Sequence, residues 1–377
     1  MHSLLVVLAA ALAPSLAAQT FVVDVNNGPG TDYTSFDAAI SGVPDGAILT
    51  VRSGLYAEPP LAIVGKSLTI VCEPQVAVEL PFPGSIRIAQ LAANQSVVIR
   101  GLAVQSTWIT TSVQITCEQN LGPVALDGLR PSTAARCHLV ATDCDWLVVS
   151  DSRFYGTGTT LRNTRAVFEA TAFGVSLVSY SFRQFGGEVQ MNDCLVLGAP
   201  TIGSVGGAAL ELQGGDLRLL GYTTIAGGAS LGVDGPCIEG TGTLRAEPSV
   251  SLDCPAPQTP ATVPSTLAAM PRVTTDQPSP GAVTAALHGP VGHLGILGVG
   301  LPGPVVAIPG VRDPAFWLTP TAITQAIGVP MTSLPLASTT TIPNNPVFLG
   351  TVLVWHGFTY DASTGLQASN PSLHVVD

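Results

Sequence analysis

Lysine is almost absent from this chain. Lys66 stands alone among 377 residues, beside thirteen arginines. Charged residues of any kind make up 10%, against roughly a quarter in an ordinary domain. The balance is −11, and no basic run occurs anywhere. A phosphate backbone is held by clustered Lys and Arg, so the composition argues against nucleic acid as a partner. The acidic balance argues in the same way against anionic membrane surfaces. No CxxC pair occurs among the seven cysteines, and most have no histidine near them, which argues against a zinc site. After the first eighteen residues nothing reads as a membrane span. Val291 to Gly310 is apolar, but Pro302, Pro304, Pro309 and six glycines break any spanning helix there.

What is abundant points to strands and turns. Apolar residues reach 46%, enough for a large core, and 40 glycines with 31 prolines punctuate short segments. Leu4 to Leu12 is an unbroken apolar run, broken by Pro14 and Ser15 and followed by the small pair Ala17-Ala18. This reads as a secretory signal over 1–18, with the mature chain starting near Gln19 in an extracellular or cell-surface location. In that oxidising setting some of Cys72, Cys117, Cys137, Cys144, Cys194, Cys237 and Cys254 should pair, and an odd number leaves one over. The alternative is a set of buried, reduced cysteines stacked in a core. Cys237 and Cys254 flank the last strand-like segment of the first domain, where a disulfide would close an end that otherwise frays.

Charge density divides the mature chain. Of its 14 basic and 25 acidic residues, six lie beyond residue 254 and the other 33 before it. The Pro/Thr-rich junction 255–264 reads as a linker, separating a first domain at 19–254 from a second at 265–377. Thr34 and Asp37 have capping-box spacing, and Phe36, Ala39 and Ile40 share one face of a short helix. Beyond it runs a ladder of short apolar strands. If Val98, Val124, Val148, Val167, Val189 and Leu210 are equivalent, the step is near twenty residues, which predicts stacked coils. An antiparallel sandwich is the alternative architecture. Thr339–Pro343, Val347–Trp355 and Ser372–Val376 predict an all-β, sandwich-like second domain.

The opening carries a family resemblance. Phe21-Val-Val-Asp-Val25, Asp32 to Ile40, Val43-Pro-Asp-Gly46 and Leu49 to Glu58 follow the order strand, cap helix, turn and coil. This resembles the start of the pectin-lyase-like right-handed parallel β-helix proteins, pectin methylesterases above all. The match covers about 85 residues, and the coil rhythm extends it to roughly residue 250. The resemblance implies an all-β parallel β-helix with an N-terminal cap helix, followed by the small C-terminal β domain. It implies no particular activity.

Three chemistries of that superfamily can be held against the sequence. A lyase needs a carboxylate cluster for Ca²⁺ and a Lys or Arg base. An esterase needs two aspartates with an arginine and glutamines, and a galacturonase needs paired aspartates spaced for inversion. The strongest candidate is the stretch Asp143, Asp145, Asp151 and Arg153, where alternation would place Asp143 and Asp145 on one side of a strand. The signatures of the enzymes are missing around it, and the competing reading is that these aspartates cap turns between coils. His288 and His293 have no carboxylate or cysteine beside them, so loop histidines are favoured over a metal pair. Trp317 and Trp355, with Tyr360, would form a sugar-stacking platform if exposed and a core if buried. The sequence therefore predicts a secreted, non-catalytic β-helix protein of extracellular structure, adhesion or glycan binding, without metal or cofactor. A divergent polysaccharide-active enzyme is the alternative, and Ca²⁺ enters only there.

Overall fold

A computed structural model describes residues 19–376, apart from 107–111, 132–135, 157, 176–179, 201–205, 231–232, 255–270, 280, 308–310, 313–314 and 343–350. The expected signal segment and linker lie outside these residues. The described chain is nearly all β. Its first part is a right-handed parallel β-helix of about eight turns, and antiparallel sheets follow.

Each complete coil visits three faces in turn. Face A stacks Leu61–Val64, Ser85–Ala89, Ser112–Asn120, Arg136–Cys144, Thr159–Arg162 and Tyr180–Phe185. Face B stacks Leu68–Cys72, Val97–Arg100, Val124–Asp127, Leu147–Ser150, Arg165–Glu169 and Glu188–Asn192. Face C includes Arg153–Gly156, Ala172–Val175 and Leu195–Leu197. Two corners of the coil are tight. At the A-to-B corner Gln90, Gln119, Asp143 and Asn163 adopt positive φ, and at the B-to-C corner Gly101, Gly128, Asp151, Ala170 and Asp193 do the same. A left-handed residue turns the chain in one step and hands its amide to the coil above, as Asp151 does to the Glu169 carbonyl at 3.1 Å.

Connections vary in length, at the A-to-B corner 90–96 as well as from C to A, and this makes the repeat irregular. Along face B the stacked positions are Thr69, Val98, Ala125, Val148, Val167, Gln190 and Arg218. The step runs from 19 residues, Val148 to Val167, to 29, Thr69 to Val98. The expected equivalence is therefore corrected. Val124 and Val189 sit one register position away, and Leu210 belongs to face A opposite Phe182.

Inward side chains form one continuous core, in which Phe154, Phe168, Phe173 and Phe182 meet with ring centroids 5.1–5.9 Å apart. Small polar residues just past the B-to-C corner are buried yet satisfied. The Ser152 and Thr171 hydroxyls donate to the carbonyls two residues back at 2.7 and 2.9 Å.

Among the described residues the one helix, Phe36–Gly42, lids the first coil and buries Phe36, Ala39 and Ile40. Its N-cap is Ser35, one residue after the expected Thr34, and the Ser35 hydroxyl accepts from the Ala38 amide. Glu58 then accepts from the Phe36 and Asp37 amides at 2.6 and 3.2 Å. At the other end Lys66 Nζ donates to the Ile40 and Val43 carbonyls, both at 2.6 Å. The disulfide expected between Cys237 and Cys254 is present, with Cα atoms 5.6 Å apart. The other five cysteines are free thiols, four of them buried.

The terminal domain packs a three-stranded sheet, Arg272–Ser279, Ala282–His288 and Leu336–Thr341, with a five-stranded one that includes Val352–Asp361 and Gly365–Val375. It rests on face B, where Val352 packs on Val98 and Ala125.

Candidate functional site

The last residues of successive face B strands form a column of Arg100, Asp127, Ser150, Glu169 and Asn192. Parallel stacking spaces them about 4.8 Å apart. The column lies where the terminal domain meets the solenoid, beside a cavity of about 320 Å³. Arg100, Asp127, Asp151 and Glu169 line it from the solenoid, and Asp276 and His374 from the terminal domain.

Two carboxyl groups in the column have opposite surroundings. Asp127 faces Arg100 Nε at 3.4 Å and accepts from the Ser150 hydroxyl at 2.8 Å, partners that favour the carboxylate. Glu169 is pushed up to about 8, first by burial and then by the charges of Asp193, Asp151 and Asp127. The Ser372 hydroxyl, which lies 2.9 and 2.8 Å from its two oxygens, offsets this in part. Ser372 is fully buried, and Thr275 Oγ1 lies 2.9 Å from its hydroxyl. Next in the column, Asn192 is fully buried and neither of its amide atoms has a hydrogen-bond partner. The two carboxyl groups lie two coils apart, roughly 10 Å between backbones, Glu169 held toward its protonated form by burial and Asp127 beside a guanidinium. A general acid and a general base need a difference in protonation.

The structure divides the aspartate cluster that the sequence singles out. Asp143 and Asp145 are both exposed at the A-to-B corner, on either side of buried Cys144. Asp143 accepts from the Asn163 amide of the next coil at 3.2 Å. Asp151 and Arg153 lie at the opposite end of Leu147–Ser150, six residues and about 20 Å of extended chain from Asp145. Only Asp151 of the four lines the cavity. The reason is geometric: a four-residue strand separates the two corners of one coil.

Trp355 is corrected as a sugar platform. It is 1% exposed and packs in the core of the terminal domain, with its ring 6.4 Å from His374. The Trp317 side chain lies outside the described residues. Tyr360 is exposed. His288 has Thr274 Oγ1 3.3 Å from its Nε2, and the His293 carbonyl accepts from the Met331 amide at 2.7 Å.

Sequence reasoning missed Arg100, Asp127 and Glu169. The signal was present in the aligned strand ends Val-Ile-Arg100-Gly, Ala-Leu-Asp127-Gly, Val-Val-Ser150-Asp and Val-Phe-Glu169-Ala, each followed by a left-handed corner. A scan against protein-family models and a search of the curated proteins give no match to this chain. Among the described residues no three His, Cys, Asp or Glu side chains are gathered closely enough to hold a metal ion.

Proposed function

We propose that this chain is an exported, non-catalytic protein of the pectin-lyase-like kind, serving extracellular or cell-surface structure, adhesion or glycan binding. The observation that carries the reading is the fate of the groups on which pectin chemistry depends. The one lysine is spent on the helix C-terminus, where it caps two carbonyls. The aspartates divide between two corners that they help to turn, and Asp143 is bonded to Asn163. Among the described residues no helix is long and apolar enough to cross a membrane.

A glycan would find planar partners on the outward side of face A. Arg162 lies over the Phe185 ring at 4.1 Å and Arg183 over Tyr180 at 4.6 Å, while Arg183 pairs with Glu211 at 3.0 Å. Stacked aromatic and guanidinium planes beside carboxylates suit sugar rings and their hydroxyls. Binding of the purified chain to an array of plant and bacterial polysaccharides tests this. The reading expects a binder whose affinity falls at least tenfold in the Arg162→Ala/Phe185→Ala variant, and retention of full affinity in that folded variant would refute the assignment to face A.

One observation favours the second reading, a divergent polysaccharide-active enzyme. Glu169 and Asp127 have the differing environments that hydrolysis of a glycosidic bond requires, and the backbone spacing of two coils approaches that of inverting enzymes. Against it stands the Ser372 hydroxyl of the terminal domain, which already occupies the Glu169 carboxyl.

A further inference from the structure

Glu169 stands among the groups that join the terminal domain to face B. Ser372 bonds its carboxyl, Arg272 Nη1 reaches Asp193 at 3.3 Å, and the Arg272 guanidinium lies 5.4 Å from the Tyr222 ring centre. Val352 adds a small apolar contact on Val98 and Ala125. We propose that this junction is a pH-operated latch, closed while Glu169 carries a proton and released when the proton is lost.

The charges around Glu169 supply the mechanism. Along the solenoid it faces Asp127, Asp151 and Asp193, and from the terminal domain Asp276 lines the same cavity. The two nearby guanidinium groups are already committed, Arg100 to Asp127 and Arg272 to Asp193. His374 lines the cavity, and burial with the Arg272 charge holds His288 toward its neutral form. Farther along the face, Arg165 pairs with Glu188 at 3.2 Å, and Arg218 and Arg245 both reach Asp216, at 3.4 and 3.3 Å. Ionising Glu169 therefore adds a negative charge to a cluster of four acids in a partly closed, low-dielectric space.

The sign follows from linkage. Docked, the Glu169 carboxyl titrates near 8, against an ordinary value of 4.5. Its folded value is raised, so between those limits the docked form holds a proton that a solvated, released form lacks. Docking is strongest below about pH 4.5, weakens by up to about tenfold per pH unit, and levels off above about pH 8. The solenoid core has no part in this titration and stays intact.

Small-angle scattering of the full chain from pH 5 to 9.5, with hydrogen exchange at 365–375 and 147–150, reads the latch directly. The wild type should be compact at pH 5 and expand toward pH 9, with exchange rising in both segments and the far-ultraviolet circular dichroism unchanged. Glu169→Gln keeps the shape without the charge and should remain docked throughout. Ser372→Ala removes the bond and should release at lower pH than the wild type. Scattering that does not change with pH in the wild type, a Glu169→Gln variant that opens like the wild type, or a Ser372→Ala variant with an unmoved transition would each overturn the proposal.

Discussion

Replacing the only lysine by methionine should loosen the lid of the solenoid without unfolding it. Lys66 donates to the carbonyls of Ile40, in the last turn of the helix Phe36–Gly42, and of its C-cap Val43, both at 2.6 Å. Hydrogen bonds from a charged donor contribute about 1.5–3 kcal/mol, and a cation at a helix C-terminus contributes up to about 1 kcal/mol more. Lys66 is only half-buried, so solvent screening places the sum near the low end, about 2 kcal/mol. Burial of Phe36, Ala39 and Ile40 should contribute roughly 5 kcal/mol to holding the helix down, so the helix survives. The cost should appear as local opening. About 2 kcal/mol corresponds to roughly a thirtyfold loss of hydrogen-exchange protection at the Ala39 and Val43 amides, which bond back to Ser35 and Ala39. Glu58→Gln, which leaves one acceptor for two amides, should lose roughly tenfold at the other end of the helix. The reasoning is refuted if exchange across 36–43 changes less than twofold in Lys66→Met, or if the whole solenoid loses protection together.

Two further substitutions probe the ends and corners of the coil. Cys237→Ser/Cys254→Ser opens a link across 17 residues and should lower stability by about 3 kcal/mol in denaturant titration, with exchange rising first in 238–253. Ala170 holds φ 47° at a corner where two earlier coils use glycine, Gly101 and Gly128, and the adjacent coils use Asp151 and Asp193. Ala170→Gly should stabilise by about 1 kcal/mol, read as a higher unfolding midpoint, because a Cβ is disfavoured there.

Much of the solenoid was legible because its signals are local. Phe36, Ala39 and Ile40 announce an amphipathic helix within five residues, and all three are buried. Strand ends such as Asp127-Gly128 and Arg100-Gly101 announce turns. The exact register was not legible, since connections of variable length break the period and the adjacent Val97 and Val98 look alike to a periodicity count. The Glu169 site was hidden for a stronger reason. Its environment depends on Ser372, 203 residues away, and on acids brought beside it only by stacking. The aspartate cluster misled in the opposite direction: residues close in sequence, Asp145 and Asp151, are carried to opposite ends of one strand.

Turnover is the most direct test of a non-catalytic protein. The purified full chain should be assayed on pectin, polygalacturonate and methylated oligogalacturonides, with and without Ca²⁺, from pH 5 to 9. The account predicts no product above the uncatalysed background under any of these conditions. Product formation abolished by Glu169→Gln or Asp127→Asn in a folded protein, or by Asp143→Asn, Asp145→Asn or Asp151→Asn, would contradict it and establish an enzyme.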